Sequence, residues 1–182
     1  NPQEKVPDIL GTISENYTYE MDKQMSQAIA KNNLQLIKYY LQKDPSLKLR
    51  VLTHNQEGNT IFHETLKYNS GNNLYYIFKQ AGKEIAFTEN MMGETVLHMA
   101  MGLDNKNAIM FCIKLGSDIN EKNNMGQTPI YNAINNNLID NVRMAINHLA
   151  SLEIKDKNGD TPLLSALNLE IKNVDIIRML VE

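Results

Sequence analysis

Four short apolar segments recur at nearly constant spacing along the chain. Each begins at a threonine, reading TIFHETL from Thr60, TVLHMAM from Thr95, TPIYNAI from Thr128 and TPLLSAL from Thr161. A glycine stands two residues before each threonine, and successive glycines are 35, 33 and 33 residues apart. Each segment is followed by a short polar break and by a second segment with apolar residues at helical spacing. The pattern therefore predicts a repeated pair of helices.

The residue types inside each repeat suit the start and the packing of a helix. A threonine can accept a hydrogen bond from the first turn as an N-cap, and the proline after Thr128 and Thr161 has a preset φ and no N–H to leave unpaired. Glycine at the preceding turn permits a positive φ, and a small residue such as Ala100 lets the neighbouring helix approach closely. One helix pair cannot bury its apolar face alone, so the units must stack. The sequence predicts an all-α solenoid of stacked helix pairs with short hairpin-like fingers.

The repeated motif resembles that of a known family. The segment TVLHMA at residues 95–100 differs at one position from the Thr-Pro-Leu-His-x-Ala signature of the ankyrin repeat. The same unit ends in LGSDIN at residues 115–120, which is similar to the Leu-x-x-Gly-Ala-Asp-Val-Asn ending of that family. The segments from Thr128 and Thr161 keep the proline and lose the histidine, whereas the segment from Thr60 keeps the histidine. The resemblance covers roughly residues 23–182 and implies an ankyrin-repeat solenoid of about four to five repeats.

The phasing divides the chain into six predicted segments. They are an N-terminal extension (1–22), a degenerate capping repeat (23–57), three ankyrin repeats (58–92, 93–125 and 126–158) and a partial, truncated repeat (159–182). The capping repeat lacks the Thr-Pro run and is inferred from apolar residues such as Ala28, Leu36 and Leu41. The chain begins with Asn1 and stops within an apolar helical pattern, so we interpret it as a piece of a longer protein.

Composition and charge exclude several classes of protein. The 182 residues are 42% hydrophobic and 21% charged, which is typical of an ordinary folded chain. The net charge of −3 lacks the basic excess that nucleic-acid binding needs. No apolar run reaches the length of a membrane helix, and the single Cys112 cannot form an internal disulfide. We expect a cytoplasmic monomer that binds neither nucleic acid nor membrane.

Residues that could carry out catalysis or bind a metal are scattered. His63 and His98 occupy the signature position, where the resemblance implies that the ring hydrogen-bonds the turns. Histidines or cysteines do not occur at metal-ligand spacing, and phosphate-binding and nucleophile motifs are absent from the sequence. We therefore expect no enzyme activity, no cofactor and no metal, and we interpret Cys112 as a core residue. The resemblance also places Asn120 at a position that asparaginyl hydroxylases modify in some family members.

The resemblance implies a module that docks another protein on its concave side, made of fingertips and inner helices. The fingertips are the residues just before each glycine, and methionines there are unusual because they bury nothing in the stack. An alternative is that one or two of them fold back onto neighbouring turns. Glu64, Met99, Asn132 and Ser165 are expected to point outward from the inner helices. The predicted partner-binding residues are Met91, Met92, Glu94, Met99, Asn124, Met125, Gln127, Asn132, Asn158 and Asp160.

Two interpretations of the whole protein stay open. The chain has 24 Asn, and 15 Lys against 3 Arg, which indicates an AT-rich genome. Such a composition, with short divergent repeats, resembles that of a secreted effector of an intracellular bacterium, a poxvirus-like host-range protein or a protist protein, and composition does not separate the three. We favour the ankyrin domain of a secreted bacterial effector that acts on host proteins in the host cytosol. The alternative is a targeting or regulatory domain of an enzyme whose catalytic domain lies outside this sequence.

Overall fold

The computed structural model describes residues 9–48, 56–68, 75–77, 79–80, 84 and 87–181. Helices account for most of these residues, and none of them belongs to a β-strand. The helices are α1 (Ile9–Ala30), α2 (Leu34–Lys43), a 3-10 helix (Pro45–Lys48), α3 (Ile61–Lys67), α4 (Val96–Met101), α5 (Lys106–Leu115), α6 (Pro129–Asn135), α7 (Ile139–Asn147), α8 (Pro162–Asn168) and α9 (Val174–Val181). Residues 75–77 and 79–80 are helical as well.

The helices are arranged as two stacked layers. Helices α3, α4, α6 and α8 contact one another in succession and form the inner layer, and α1 contacts α3 at its N-terminal end. The outer helices α5, α7 and α9 each pack on the inner helix that precedes them, and α2 packs on α1 in the same way. The prediction of an all-α solenoid of stacked helix pairs is confirmed.

The inner helices begin as the threonine pattern predicts, with one exception. The hydroxyl oxygens of Thr60, Thr95 and Thr161 accept hydrogen bonds of 3.3–3.4 Å from backbone N–H groups in the first turns of α3, α4 and α8. In α3 and α4 the histidine three residues later completes a capping box by accepting from the backbone N–H of the threonine. Thr128, before α6, makes no side-chain cap bond.

The core lies between the two layers. On α4, Val96, Leu97 and Ala100 are fully buried, and on the outer helix α5 the buried side chains include Ile109 and Cys112. Burial raises the pKa of the Cys112 thiol to about 12, so the thiol stays protonated at neutral pH. The interpretation of Cys112 as a core residue is confirmed.

Helix α1 crosses the expected boundary between the N-terminal extension and the capping repeat. It runs without a break from Ile9 to Ala30, and it buries Met21, Met25 and Ile29. The expected boundary after residue 22 therefore falls inside one continuous helix. Leu36, one of the apolar residues from which the capping repeat was inferred, is 40% exposed on α2.

Candidate functional site

Three fingers, those at Gly93, Gly126 and Gly159, are each closed by one side chain that stands three residues before the glycine. The Oδ1 atom of Asn90 accepts hydrogen bonds from the backbone N–H groups of Met92 (2.9 Å) and Glu94 (3.0 Å). Asn123 and Asp156 make the same pair of bonds in the next two fingers, at 2.8–3.0 Å. Partial burial opposes ionisation of Asp156, but these N–H donors outweigh it and hold its pKa below the usual value. The fingertip residues are thereby held out from the stack.

Neighbouring fingers are joined through their backbones. The N–H groups of Met91, Asn124 and Lys157 donate to carbonyl oxygens of the preceding fingertip, each at 2.9 Å. Gly93 lies directly under this contact with φ of +69°, and a Cβ there would lie 2.9 Å from the backbone nitrogen of Asn124. The glycine is therefore needed both for its backbone conformation and for the close approach of the next finger.

A second set of hydrogen bonds joins each inner helix to the next repeat. The Nε2–H group of His63 donates to the carbonyl of Glu94, and that of His98 donates to the carbonyl of Gln127, both at 3.0 Å. Tyr131 replaces histidine in the next repeat, and its hydroxyl reaches the equivalent carbonyl of Asp160 at 2.6 Å. The structural interpretation of His63 and His98 is confirmed. We call these contacts the signature ladder.

Burial keeps both histidine rings of the ladder neutral. Burial lowers the pKa of His63 to about 4, and burial also lowers the pKa of His98. In each ring Nδ1 accepts from the backbone N–H of the preceding threonine, Thr60 or Thr95, at 3.2–3.3 Å. Since Nδ1 accepts and Nε2 donates, one neutral tautomer satisfies both sides of the ring.

Half of the predicted partner-binding residues are exposed at the fingertips. Met91, Met92 and Met125 have 69%, 52% and 43% of their surface exposed. Asn124 and Asn158 are exposed as well. The backbone N–H group of Asn124 donates a hydrogen bond to the Met92 carbonyl, so the finger of Met91 and Met92 adjoins the finger of Met125. We call Met91, Met92 and Met125 the methionine tips.

The other five predicted residues are half-buried where the fingers meet the inner helices. Asn132 on α6 donates from Nδ2 to the Glu94 carboxylate at 2.8 Å, so these two are brought together across neighbouring repeats. Gln127 and Asp160 occupy the positions equivalent to Glu94 but have other partners, Asp156 at 3.4 Å and Asn168 at 3.0 Å. The remaining half-buried residue is Met99 on α4.

The expectation for Glu64 is wrong. Its side chain is buried, with 5% of its surface exposed, where we had expected it to point outward. Asn59 donates to its carboxylate at 3.3 Å, and Lys67, one helical turn later, lies 3.5 Å from it. A buried carboxylate needs such partners, and neither partner belongs to the repeated signature from which its direction was inferred.

Sequence reasoning also missed the asparagines that connect the fingers. Asn90 donates to the side-chain oxygen of Asn59 at 3.1 Å, and Asn59 donates to Glu57 at 2.6 Å. A signal for Asn90 was present, because a side chain that can accept at Oδ1 stands three residues before Gly93, Gly126 and Gly159.

No group of three histidine, cysteine, aspartate or glutamate residues in the described ranges is placed to hold a metal ion. Among the helices that the structure describes, none is both long and apolar enough to cross a membrane. The face formed by the fingertips and inner helices has an exposed apolar edge. Hydrogen-bonded amide and carboxylate side chains lie beside this edge.

These features define an all-α repeat protein whose units are joined by hairpin fingers and by a ladder of buried side chains. Residues 103–182 match the family model for ankyrin repeats, in three copies. The same capping and ladder contacts extend to Thr60 and His63, which precede the matched residues. No curated protein matches the chain. Ankyrin repeats are generally non-catalytic protein–protein interaction modules.

Proposed function

We propose that this chain holds a partner protein on the concave face formed by its fingertips and inner helices. The observation that supports this proposal is the set of methionine tips, which expose 43–69% of their surface on two adjoining fingers. Exposed apolar side chains gain nothing from the solvent. The Met91 side chain lies against Gly58 of the preceding finger, but most of its surface stays exposed. Contact with a partner would remove the apolar surface of the methionine tips from water.

The backbone beneath the methionine tips is ordered before any partner arrives. Asn90 and Asn123 close the two fingers, and the Asn124 N–H group ties one finger to the other at 2.9 Å. A partner therefore has little loop entropy to overcome on binding. Methionine side chains are flexible and polarisable, so they can adapt to an irregular surface on such a fixed backbone.

The double variant Met92→Glu with Met125→Glu tests the proposed face. We expect it to abolish capture of partner proteins while leaving the melting temperature nearly unchanged, because both side chains are exposed. The matched control is Leu149→Glu with Ile171→Glu, which alters two side chains that are 84% and 79% exposed outside the fingers. Capture that survives the first change, or that is lost equally in the control, would contradict the proposal.

We further propose that the partner is a host protein and that the chain acts as a monomeric domain of a secreted bacterial effector in the host cytosol. The asparagine- and lysine-rich composition supports this origin, with 24 Asn and 15 Lys against 3 Arg. Expression of the tagged chain in host cells, followed by fractionation and size-exclusion chromatography, tests it. Recovery from the cytosolic fraction at the mass of one chain plus partner is expected, and recovery as a homodimer would contradict it.

A further inference from the structure

The carboxylate of Glu94 belongs to the same finger as Met91 and Met92. Its Oε1 accepts from Asn132 at 2.8 Å and its Oε2 accepts from Asn90 at 3.5 Å. No lysine or arginine of the described ranges forms an ion pair with it. Because a carboxylate oxygen can accept two hydrogen bonds, each oxygen still has room for a further donor.

Neighbouring charged groups do not neutralise this carboxylate. The nearby lysine, Lys67, is engaged by two other carboxylates, those of Glu57 at 2.6 Å and Glu64 at 3.5 Å. The rings of His63 and His98 are buried and hydrogen-bonded as neutral acceptors and donors in the signature ladder. Within the described ranges Glu94 therefore lacks a counter-charge, whereas the exposed Lys122 and Lys157 lie in the finger of Met125 and in the finger after it.

A partner that covers the methionine tips would also take water away from Glu94. Met92 precedes Glu94 by two residues in the same finger, and Glu94 is already half-buried. Burying an ionised carboxylate without a counter-charge is strongly unfavourable, whereas a charge-assisted hydrogen bond from an ammonium or guanidinium group compensates that loss. The covering segment must therefore bring its own cation.

We propose that the partner segment is basic and amphipathic, with apolar side chains on the methionine tips and a lysine or arginine paired with Glu94. This inference rests on the proposed function and adds the chemistry of the partner. The residues at the position of Glu94 in the next two fingers explain why only Glu94 is expected to pair with the cation of the partner. Gln127 is uncharged, and Asp160 lies two fingers away from Met92 beside Asn168.

Selection from a random dodecapeptide display library tests this partner chemistry. We expect the selected peptides to combine apolar residues with lysine or arginine, and to bind more weakly as the salt concentration rises. Glu94→Gln keeps an oxygen that can accept from Asn132 but removes the charge, so it should weaken binding of the best peptide at least about tenfold. Glu170→Gln removes the charge of an exposed carboxylate outside the fingers, so it is the matched control and should change the affinity less than about twofold.

The outcomes separate this inference from the proposed function. Neutral or acidic peptides whose binding is lost in the Met92→Glu with Met125→Glu variant would overturn the inference and leave the proposed face intact. Basic peptides that bind Glu94→Gln as tightly as the unchanged chain would also overturn it. A failure to select any peptide whose binding depends on the methionine tips would overturn both.

Discussion

Leu149 adopts a backbone conformation that is unfavourable for a bulky side chain. Its φ is +64°, and it stands 33 residues after Gly116, which has φ of +98° at the end of α5. Both residues follow an outer helix, so the repeat requires a left-handed residue at this position. Glycine meets that requirement without strain, whereas a left-handed conformation costs an ordinary residue about 1–2 kcal/mol. Because the Leu149 side chain is 84% exposed, packing offsets little of this cost.

Leu149→Gly should stabilise the protein. Relief of the strained backbone outweighs the added freedom of the unfolded chain, which leaves a gain of roughly 0.5–1 kcal/mol in the free energy of unfolding. Urea denaturation measures it. The control Leu149→Ala keeps a Cβ and so keeps the strain, and it should not stabilise. Equal effects of the two substitutions would show that the conformation is not strained.

Thr128 and Thr95 occupy the same position in successive repeats but should respond differently to the same substitution. Thr95 Oγ1 accepts from the His98 N–H group and contacts Nδ1 of the His98 ring at 2.9 Å. Thr128 Oγ1 is buried without a hydrogen-bond partner among the described residues, and the Tyr131 N–H group donates to the Thr128 carbonyl at 3.0 Å instead. We expect Thr95→Val to cost about 1–2 kcal/mol, and Thr128→Val to be neutral or stabilising, in denaturant titrations. A similar loss in both variants would contradict this difference.

The glycine of a finger has two requirements to meet. It must adopt a positive φ, and it must leave room for the next finger. Gly93 and Gly159 both have positive φ, at +69° and +86°. Beneath Gly93 lies the next finger, whereas nothing lies within 4 Å of a Cβ placed at Gly159. The two glycines therefore separate the cost of backbone conformation from the cost of stacking.

Gly159→Ala should cost about 1 kcal/mol through its backbone conformation alone. Gly93→Ala carries the same cost, and its Cβ would also meet the backbone nitrogen of Asn124 at 2.9 Å. Displacing the next finger should add about 1–3 kcal/mol. Thermal unfolding of both variants measures the difference, and equal losses would mean that the fingers are not in contact.

The repeat could be predicted from the sequence because its residues act locally. The threonine caps and the turn glycines recur at fixed spacing, so the helix pairs could be inferred. The roles of His63 and His98 were implied by the resemblance to the ankyrin repeat. Contacts between non-equivalent side chains leave no such signal. The burial of Glu64 depends on Asn59 and Lys67, and the pairing of Glu94 with Asn132 joins two different repeats.

The start of α1 was missed for a different reason. Residues 1–22 were predicted to be an extension separate from the repeats, but α1 begins at Ile9, within that range. Gly11 is the third residue of that helix. A helix-weakening residue there disturbs fewer of the backbone hydrogen bonds of the helix than it would at the centre.

Over the whole molecule, the signature ladder should make stability depend on pH. The pKa of His63 is lowered to about 4 from an ordinary value of 6.5, and that of His98 is lowered too, chiefly because burial disfavours the charged ring. The unfolded chain therefore binds more protons than the folded chain in this range. Stability is complete above about pH 6.5 and is lost as the pH falls towards 4.

We expect His63 alone to lower the free energy of unfolding by roughly 3 kcal/mol between pH 7 and pH 4. Denaturant titrations at a series of pH values measure this slope. Between pH 6.5 and pH 5 carboxylates contribute little, so the slope there reports the histidines. His63→Gln should be less stable at neutral pH but should show a shallower slope. A stability that is constant from pH 6.5 to pH 5 would contradict the buried ladder.

Methionine methyl groups provide reporters along the stacked repeats for locating a bound partner. The chain has 10 methionines, including the three at the methionine tips, Met99 on α4, and the distant Met25, Met144 and Met179 on α1, α7 and α9. Labelling these methyl groups with ¹³C leaves the molecule unchanged.

The most direct measurement is therefore the methyl NMR spectrum of the labelled chain with and without a saturating dodecapeptide selected on it. Binding on the fingertip and inner-helix face predicts large shifts for Met91, Met92, Met125 and Met99, with Met25, Met144 and Met179 unmoved. Shifts confined to Met144 and Met179, with the methionine tips unchanged, would place binding on the outer helices and contradict the proposed function.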